Sequence, residues 1–83
     1  MLQKTEFIWF DGKLVPWDQA QVHVLAHGLH YGTGVFEGIR AYACPDGTSA
    51  VFRLPEHSKR LVNSAKILGL GMPYSADEIS KAI

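Results

Sequence analysis

The sequence has one cysteine, Cys44. A lone thiol excludes an intrachain disulfide framework and a Cys-based structural zinc site. Charge is sparse too. Asp, Glu, Lys and Arg supply 19 % of the residues, below the roughly 25 % of an ordinary globular domain. Eight basic residues balance eight acidic ones, so the formal net charge at pH 7 is zero. That excludes the basic footprint of a nucleic-acid binder and the charged tail of many interaction segments. No apolar run approaches the roughly 18 residues of a membrane span. Met1-Leu2-Gln3-Lys4-Thr5-Glu6 lacks the apolar core of a secretory signal. Internal repeats, low-complexity tracts and linker-like stretches are also missing. The expectation is a cytoplasmic protein with no nucleic-acid or membrane partner.

Apolar residues are plentiful: 47 % of the 83 residues are hydrophobic. A chain this short buries roughly 60 to 65 % of its unfolded surface on folding. Ordering it costs on the order of 1.5 kcal/mol per residue, so burial barely breaks even. A short, apolar, unstapled chain is expected to lean on further protein.

The β-prone run Phe7-Ile8-Trp9-Phe10 leads into Asp11-Gly12, a strong hairpin signal, with Lys13-Leu14-Val15-Pro16 as the return strand. Trp17 to Ala20 reads as a turn or short helical piece, Gln21 to Val24 as a short strand, and Ala26 to Tyr31 as one or two helical turns. Val35 to Tyr42 reads as a strand. Val35, Glu37, Ile39 and Ala41 share one face, while Phe36, Gly38, Arg40 and Tyr42 share the other. A turn-forming loop, Cys44 to Ser49, connects it to an antiparallel strand, Ala50 to Arg53. A helix over 55–68 follows, with Pro55 and Glu56 at its start and an apolar stripe of Leu54, Leu61, Ala65 and Leu68 around Ser58; Gly69, Gly71 and Pro73 end it. Ser75-Ala76-Asp77-Glu78 is a capping box that opens a second helix. The printed chain stops about eight residues later, which suggests a segment of something longer, since so short a helix is marginal alone. The fold class is α+β, with a largely antiparallel sheet from residues 7–16, 35–42 and 50–53 and the 55–68 helix packed on it.

Several groups are candidates for chemistry. His23, His27 and His30 have the spacing of zinc ligands on a helix. Val22 and Val24 favour strand, Gly28 interrupts a helix, and no carboxylate has ligand spacing, so structural histidines, one of them tying a loop by hydrogen bonds, are the better reading. Gly32-Thr33-Gly34 resembles part of a dinucleotide loop, but position 37 is Glu and the run opens a strand, so it fails that fingerprint. Its glycines read as turn formers that let backbone approach something bulky. Glu37 and Arg40 point to opposite faces, which disfavours a direct pair and leaves both as solvated strand residues. Phe36, Gly38 and Arg40 together make a plausible pocket wall, an aromatic, a gap and a cation. Arg60, beside Asn63 and Ser64, suits an anion. Cys44 has no activating partner in sequence, and Asp77-Glu78 fits a helix start.

Three stretches carry a family resemblance: Ile8-Trp9-Phe10-Asp11-Gly12, His30-Tyr31-Gly32-Thr33-Gly34-Val35-Phe36-Glu37-Gly38-Ile39-Arg40-Ala41-Tyr42, and Phe52-Arg53-Leu54-Pro55-Glu56-His57 with Arg60-Leu61 and Ser64-Ala65-Lys66. Together they resemble the branched-chain amino acid aminotransferases, which are fold-type IV pyridoxal phosphate enzymes. Val22-His23-Val24 points to that branch in particular. The resemblance implies that residues 1–83 are the N-terminal portion of the family's small domain, and that the activity is amino-group exchange between leucine, isoleucine or valine and 2-oxoglutarate, in branched-chain amino acid biosynthesis. It implies pyridoxal 5'-phosphate, held in the family by a Schiff-base lysine. It further implies that Arg60 binds the cofactor phosphate and Phe36 lines the aliphatic pocket. Tyr31 would reach a neighbouring subunit's pocket across a homodimer, or an assembly of dimers, and Gly38 and Arg40 would lie near that pocket.

The lysines present, Lys4, Lys13, Lys59, Lys66 and Lys81, do not sit in the family's Schiff-base motif. The lysine-bearing cofactor domain is therefore absent from this chain, and the 83 residues alone are expected to be inactive and to leave bare the apolar surfaces meant for that domain and for a second subunit. Three alternatives stay open: another fold-type IV enzyme such as D-amino acid aminotransferase or aminodeoxychorismate lyase, a non-catalytic dimerisation or binding module, and a small histidine-based metal binder.

Overall fold

The computed structural model describes residues 3–83. They form two units, one ending at Gly32 and one spanning Thr33–Ile83.

The first unit is built on a hairpin of β1 (Phe7–Phe10) and β2 (Lys13–Pro16). The strands pair antiparallel, with Ile8 opposite Val15 and Phe10 opposite Lys13. Asp11 (φ 53°) and Gly12 (φ 90°) both have positive φ, as the type I′ turn expected of Asp-Gly requires. Ile8 and Phe10 are half-buried, and Val15 is the buried hydrophobic of this unit. A single 3₁₀ turn over Trp17–Gln19 follows, and the Trp17 N–H donates to the Glu6 carbonyl at 3.1 Å. The expected strand at Gln21–Val24 does not form. The Ala26 N–H donates to the His23 carbonyl and the Leu25 N–H to His23 Nδ1, which curls this stretch into a turn. Helix α1 (His27–Tyr31) then forms as expected and ends on Gly32.

In the second unit, β3 (Ala41–Ala43) and β4 (Ser49–Val51) pair antiparallel across the turn-rich loop. Asp46 stabilises that loop by accepting from the Thr48 hydroxyl at 2.6 Å and the Thr48 N–H at 3.0 Å. The Thr48 hydroxyl, and next its N–H, hold the Asp46 carboxyl below its ordinary range.

The strands are shorter than the sequence predicts. Residues 33–40 carry no strand pairing, and β4 stops at Val51. The β3–β4 register places Arg40 opposite Phe52, whose N–H donates to the Arg40 carbonyl at 3.4 Å. The next partner is Arg53, which has a left-handed backbone (φ 56°) and turns directly into a helix. The ladder has nothing to continue against. Among the described residues the expected single sheet is replaced by two two-stranded sheets, β1–β2 and β3–β4. The predicted alternation nevertheless survives in burial: Val35, Glu37 and Ile39 are half-buried, while Phe36, Gly38 and Arg40 are exposed.

Helix α2 (Leu54–Ile67) keeps Pro55 in its first turn. It ends on Gly69 (φ 72°), with the Gly69 N–H donating to the Lys66 carbonyl and the Leu70 N–H to the Ala65 carbonyl. This is the Schellman pattern, and its left-handed position suits glycine. The inward stripe is Leu54, His57, Ser58, Leu61, Val62 and Ala65; Leu68, expected on it, is 54 % exposed because the helix has already ended. Helix α3 (Ala76–Ala82) starts on Ser75 with both bonds of the capping box in place. It packs on α2, where small residues permit close approach. Ser58 and Ala65 are each 1 % exposed and Ile79 8 %. The Ser58 and Ser80 hydroxyls meet at 2.7 Å.

Three hydrophobic side chains are buried among the described residues, Val15, Ala65 and Ile79. Val22, Val24, Leu25, Leu29 and Tyr31 in the first unit, and Phe36, Phe52 and Ile67 in the second, are largely exposed. These bare side chains agree with the expectation of uncovered apolar surface.

Candidate functional site

The second unit contains a cavity of about 370 Å³ lined by Arg53, Glu56, His57 and Arg60. Arg53 caps α2, and the spacing of Glu56, His57 and Arg60 places those three on one face of its first two turns. Two arginines against one glutamate give the lining its positive charge, and their N–H groups suit an anion. Arg53 and Glu56 form an ion pair at 3.5 Å; both are well exposed, so the pair is worth little.

Arg60 is anchored rather than loose. Its Nε donates to Glu37 Oε2 at 2.7 Å and its Nη2 to Glu37 Oε1 at 2.6 Å. This is the two-pronged geometry that suits guanidinium to carboxylate. His57 Nδ1 lies 2.7 Å from the same Oε1. A carboxylate only accepts, so Nδ1 carries the proton in this contact. Arg60 first, and His57 next, lower the Glu37 carboxyl from about 4.5 to about 2. Glu37 in turn raises Arg60 above its ordinary value. The Glu37 side chain is 6 % exposed, against 65 % for Arg60. The expectation that Glu37 is solvated is therefore wrong. Alternation puts it on the inward face, and α2 supplies two donors there.

Of the residues singled out in the sequence, Arg60 lines the cavity. Phe36, Gly38 and Arg40 do not; they sit on the outward face of the 33–40 run, with Phe36 90 % exposed. A Cβ added at Gly32 or Gly34 would meet nothing within 4 Å, so no atom of the described chain makes the close approach expected there. Tyr31 belongs to the first unit and is 73 % exposed, with its ring 4.5 Å from that of His27. The neighbouring histidines do structural work: His30 Nε2 lies 2.7 Å from the Val24 carbonyl, and His23 accepts from Leu25. No group of three metal-ligating side chains is assembled among the described residues. No described helix is long and apolar enough to cross a membrane.

Sequence reasoning missed Glu37, His57, Arg53 and Glu56. The signal for the last three was helical spacing from Arg60. For Glu37 it was the inward face of its own alternation.

Chemically, the cavity offers charge-assisted donors to a compact, doubly charged anion such as a phosphate monoester. Pyridoxal phosphate carries such a group, so the donor set fits it.

The family model for amino-transferase class IV matches residues 34–83. The chain is 55 % identical over 82 residues to the branched-chain-amino-acid aminotransferase of Pseudomonas aeruginosa, covering 99 % of this chain and 26 % of that protein. In structure it is similar to the Escherichia coli branched-chain amino acid aminotransferase, with a TM-score of 0.90, 49 % identity, and coverage of 95 % of this chain and 26 % of that one. It is also similar to the T.th. branched-chain amino acid aminotransferase complexed with N-(5'-phosphopyridoxyl)-L-glutamate, with a TM-score of 0.89, 49 % identity, and coverage of 98 % and 27 %. The chain thus spans about a quarter of the length of these relatives. Its α+β arrangement of two antiparallel hairpins and three helices corresponds to the N-terminal domain of those structures.

Proposed function

We propose, from the premise that this chain belongs to the class IV aminotransferase family, that it is the N-terminal portion of the small domain of a branched-chain amino acid aminotransferase. The reaction is amino-group exchange between L-leucine, L-isoleucine or L-valine and 2-oxoglutarate. The enzyme is cytoplasmic and works as a homodimer or an assembly of dimers. The observation that supports this best is the cationic cavity on α2, built around an Arg60 held by Glu37, in a chain about half identical to branched-chain aminotransferases.

Pyridoxal 5'-phosphate, when bound, supplies the carbonyl that takes up the amino group and the electron sink that eases proton removal at Cα. This chain's part is to bind and orient. Arg60 receives the phosphate through the N–H groups that Glu37 leaves free, where its planar fork matches phosphate oxygens. Arg53 adds positive charge and donors on the same face. Phe36 offers apolar surface to a branched aliphatic side chain, and its 90 % exposure leaves the ring available for that contact. Gly38 and Arg40 line the same outward face. Tyr31 presents its exposed ring to the pocket of a second subunit. The proton-transferring lysine belongs to a separate domain of the same polypeptide.

The experiment compares turnover by the full-length enzyme and by residues 1–83 alone, with L-leucine or D-alanine as amino donor and 2-oxoglutarate as acceptor. The expected result is turnover of L-leucine by the full-length enzyme and none by the fragment. Preference for D-alanine, or turnover by the fragment, overturns the proposal.

A further inference from the structure

We propose that Glu37 is the positioning residue that sets Arg60 for the cofactor phosphate, an inference that rests on the phosphate reading of Arg60 above. Glu37 is not among the residues lining the cavity. It grips Arg60 from behind, with its carboxylate buried while the guanidinium stays largely open. Free arginine has many rotamers and loses them on binding, which weakens the net attraction. Here the Nε and Nη2 edge is already committed to Glu37. Of the five N–H groups of a guanidinium, both on Nη1 and one on Nη2 remain. The fork fixes the plane in which those three point.

A carboxylate that swung with the arginine would fix nothing. His57 prevents this by donating to Oε1 from the same helix, three residues before Arg60. Glu37 comes from the 33–40 run, so the brace ties that run to α2. The arrangement also answers an electrostatic problem, since a carboxylate near a phosphate site repels the ligand. By occupying the far edge of the guanidinium, Glu37 places the cation between the two anions.

The test measures, in the full-length enzyme, affinity for pyridoxal phosphate and for pyridoxal, which lacks the phosphate. Their ratio isolates the phosphate contribution. In Arg60→Ala the ratio should collapse; if it does not, the phosphate reading fails, and the positioning role with it. In Glu37→Gln, which keeps size but loses charge and one acceptor, the ratio should fall about tenfold or more, as for a charge-assisted bond, with pyridoxal affinity unchanged. In Glu37→Asp, which keeps the charge but is one methylene too short to hold both partners, it should fall in the same direction by less. If Glu37→Gln does not fold, Glu37→Asp carries the comparison. An unchanged ratio in the Glu37 variants beside a collapsed one in Arg60→Ala overturns the positioning role and leaves the phosphate reading intact. An equal loss for both ligands also overturns it, because Glu37 would then only maintain the fold.

Discussion

Glu37 and Arg60, twenty-three positions apart, meet through two hydrogen bonds of 2.7 and 2.6 Å, and that pair joins the extended 33–40 run to the first turns of α2. Here a nearly buried carboxylate meets a cation that is itself mostly open. The asymmetry gives the pair two roles, holding a segment that has no strand partner and presenting a fixed guanidinium edge.

The pair has a defined pH signature. The Glu37 carboxyl drops from about 4.5 to about 2 in the folded chain, chiefly through Arg60 and next through His57. A depressed carboxyl contributes stability that is full above the unfolded value and disappears as pH falls through the folded value. The contribution is therefore expected to be intact at pH 6, to decline below about pH 4.5, and to have largely disappeared by about pH 2. Unfolding of the wild type and of Glu37→Gln, compared from pH 6 to pH 2, should show a gap that closes across that window. A gap that stays constant on acidification contradicts the assignment.

Phe36 separates stability from function. At 90 % exposure it has little packing to lose, so Phe36→Ala should shift the stability of the isolated unit by no more than about 0.5 kcal/mol. If the ring contacts the substrate's branched side chain, the full-length variant should lose about 10- to 200-fold in kcat/KM for leucine, the range for apolar discrimination of one methylene or more. The loss for 2-oxoglutarate should be smaller. Equal losses for both substrates contradict an aliphatic-pocket role.

Local chemistry was legible in the sequence wherever one or two residues decide the backbone. Asp11-Gly12, Gly69 and Ser75 with Glu78 each marked a turn, a stop or a start, and each is found there. The alternation of Val35, Glu37 and Ile39 was legible as well, because side-chain direction follows from an extended backbone alone. The strand itself was not. A strand needs a partner, and the residue that removes it, Arg53 in the left-handed region, has no sequence signal comparable to glycine. The anchoring of Arg60 was hidden for a related reason: it depends on a contact over twenty-three positions, and local periodicity is blind to contacts at that range.

The hairpin turn offers a direct test of one such local signal. Gly12 sits at φ 90°, where a Cβ is strained; left-handed backbone costs an ordinary residue roughly 1 to 2 kcal/mol. Gly12→Ala should weaken the β1–β2 pairing by about 1 kcal/mol, read as amide hydrogen exchange about fivefold faster at Phe10 and Lys13. Replacing Asp11 with Asn or Gly, both at home in the type I′ turn, should leave the protection nearly unchanged.

Ser75 is the second such test, and it reports on how α3 is held. Its hydroxyl accepts from the Glu78 N–H at 3.1 Å, while its own N–H donates to the Glu78 carboxylate at 3.2 Å. Ser75→Ala removes the first bond and should cost about 1 kcal/mol. Seven residues are too few to stay helical unaided, so the loss should appear across the whole of α3 rather than at its first turn. Ile79 and the Ser58–Ser80 bond oppose that loss by pinning the helix to α2. Ser58→Ala should therefore produce a comparable loss from the other side. Because α3 is only about two turns long, the double variant should exchange its amides faster than either single variant. If Ser75→Ala frays only residues 76–78 and leaves the Ile79 amide protected, packing on α2 rather than the cap holds the helix.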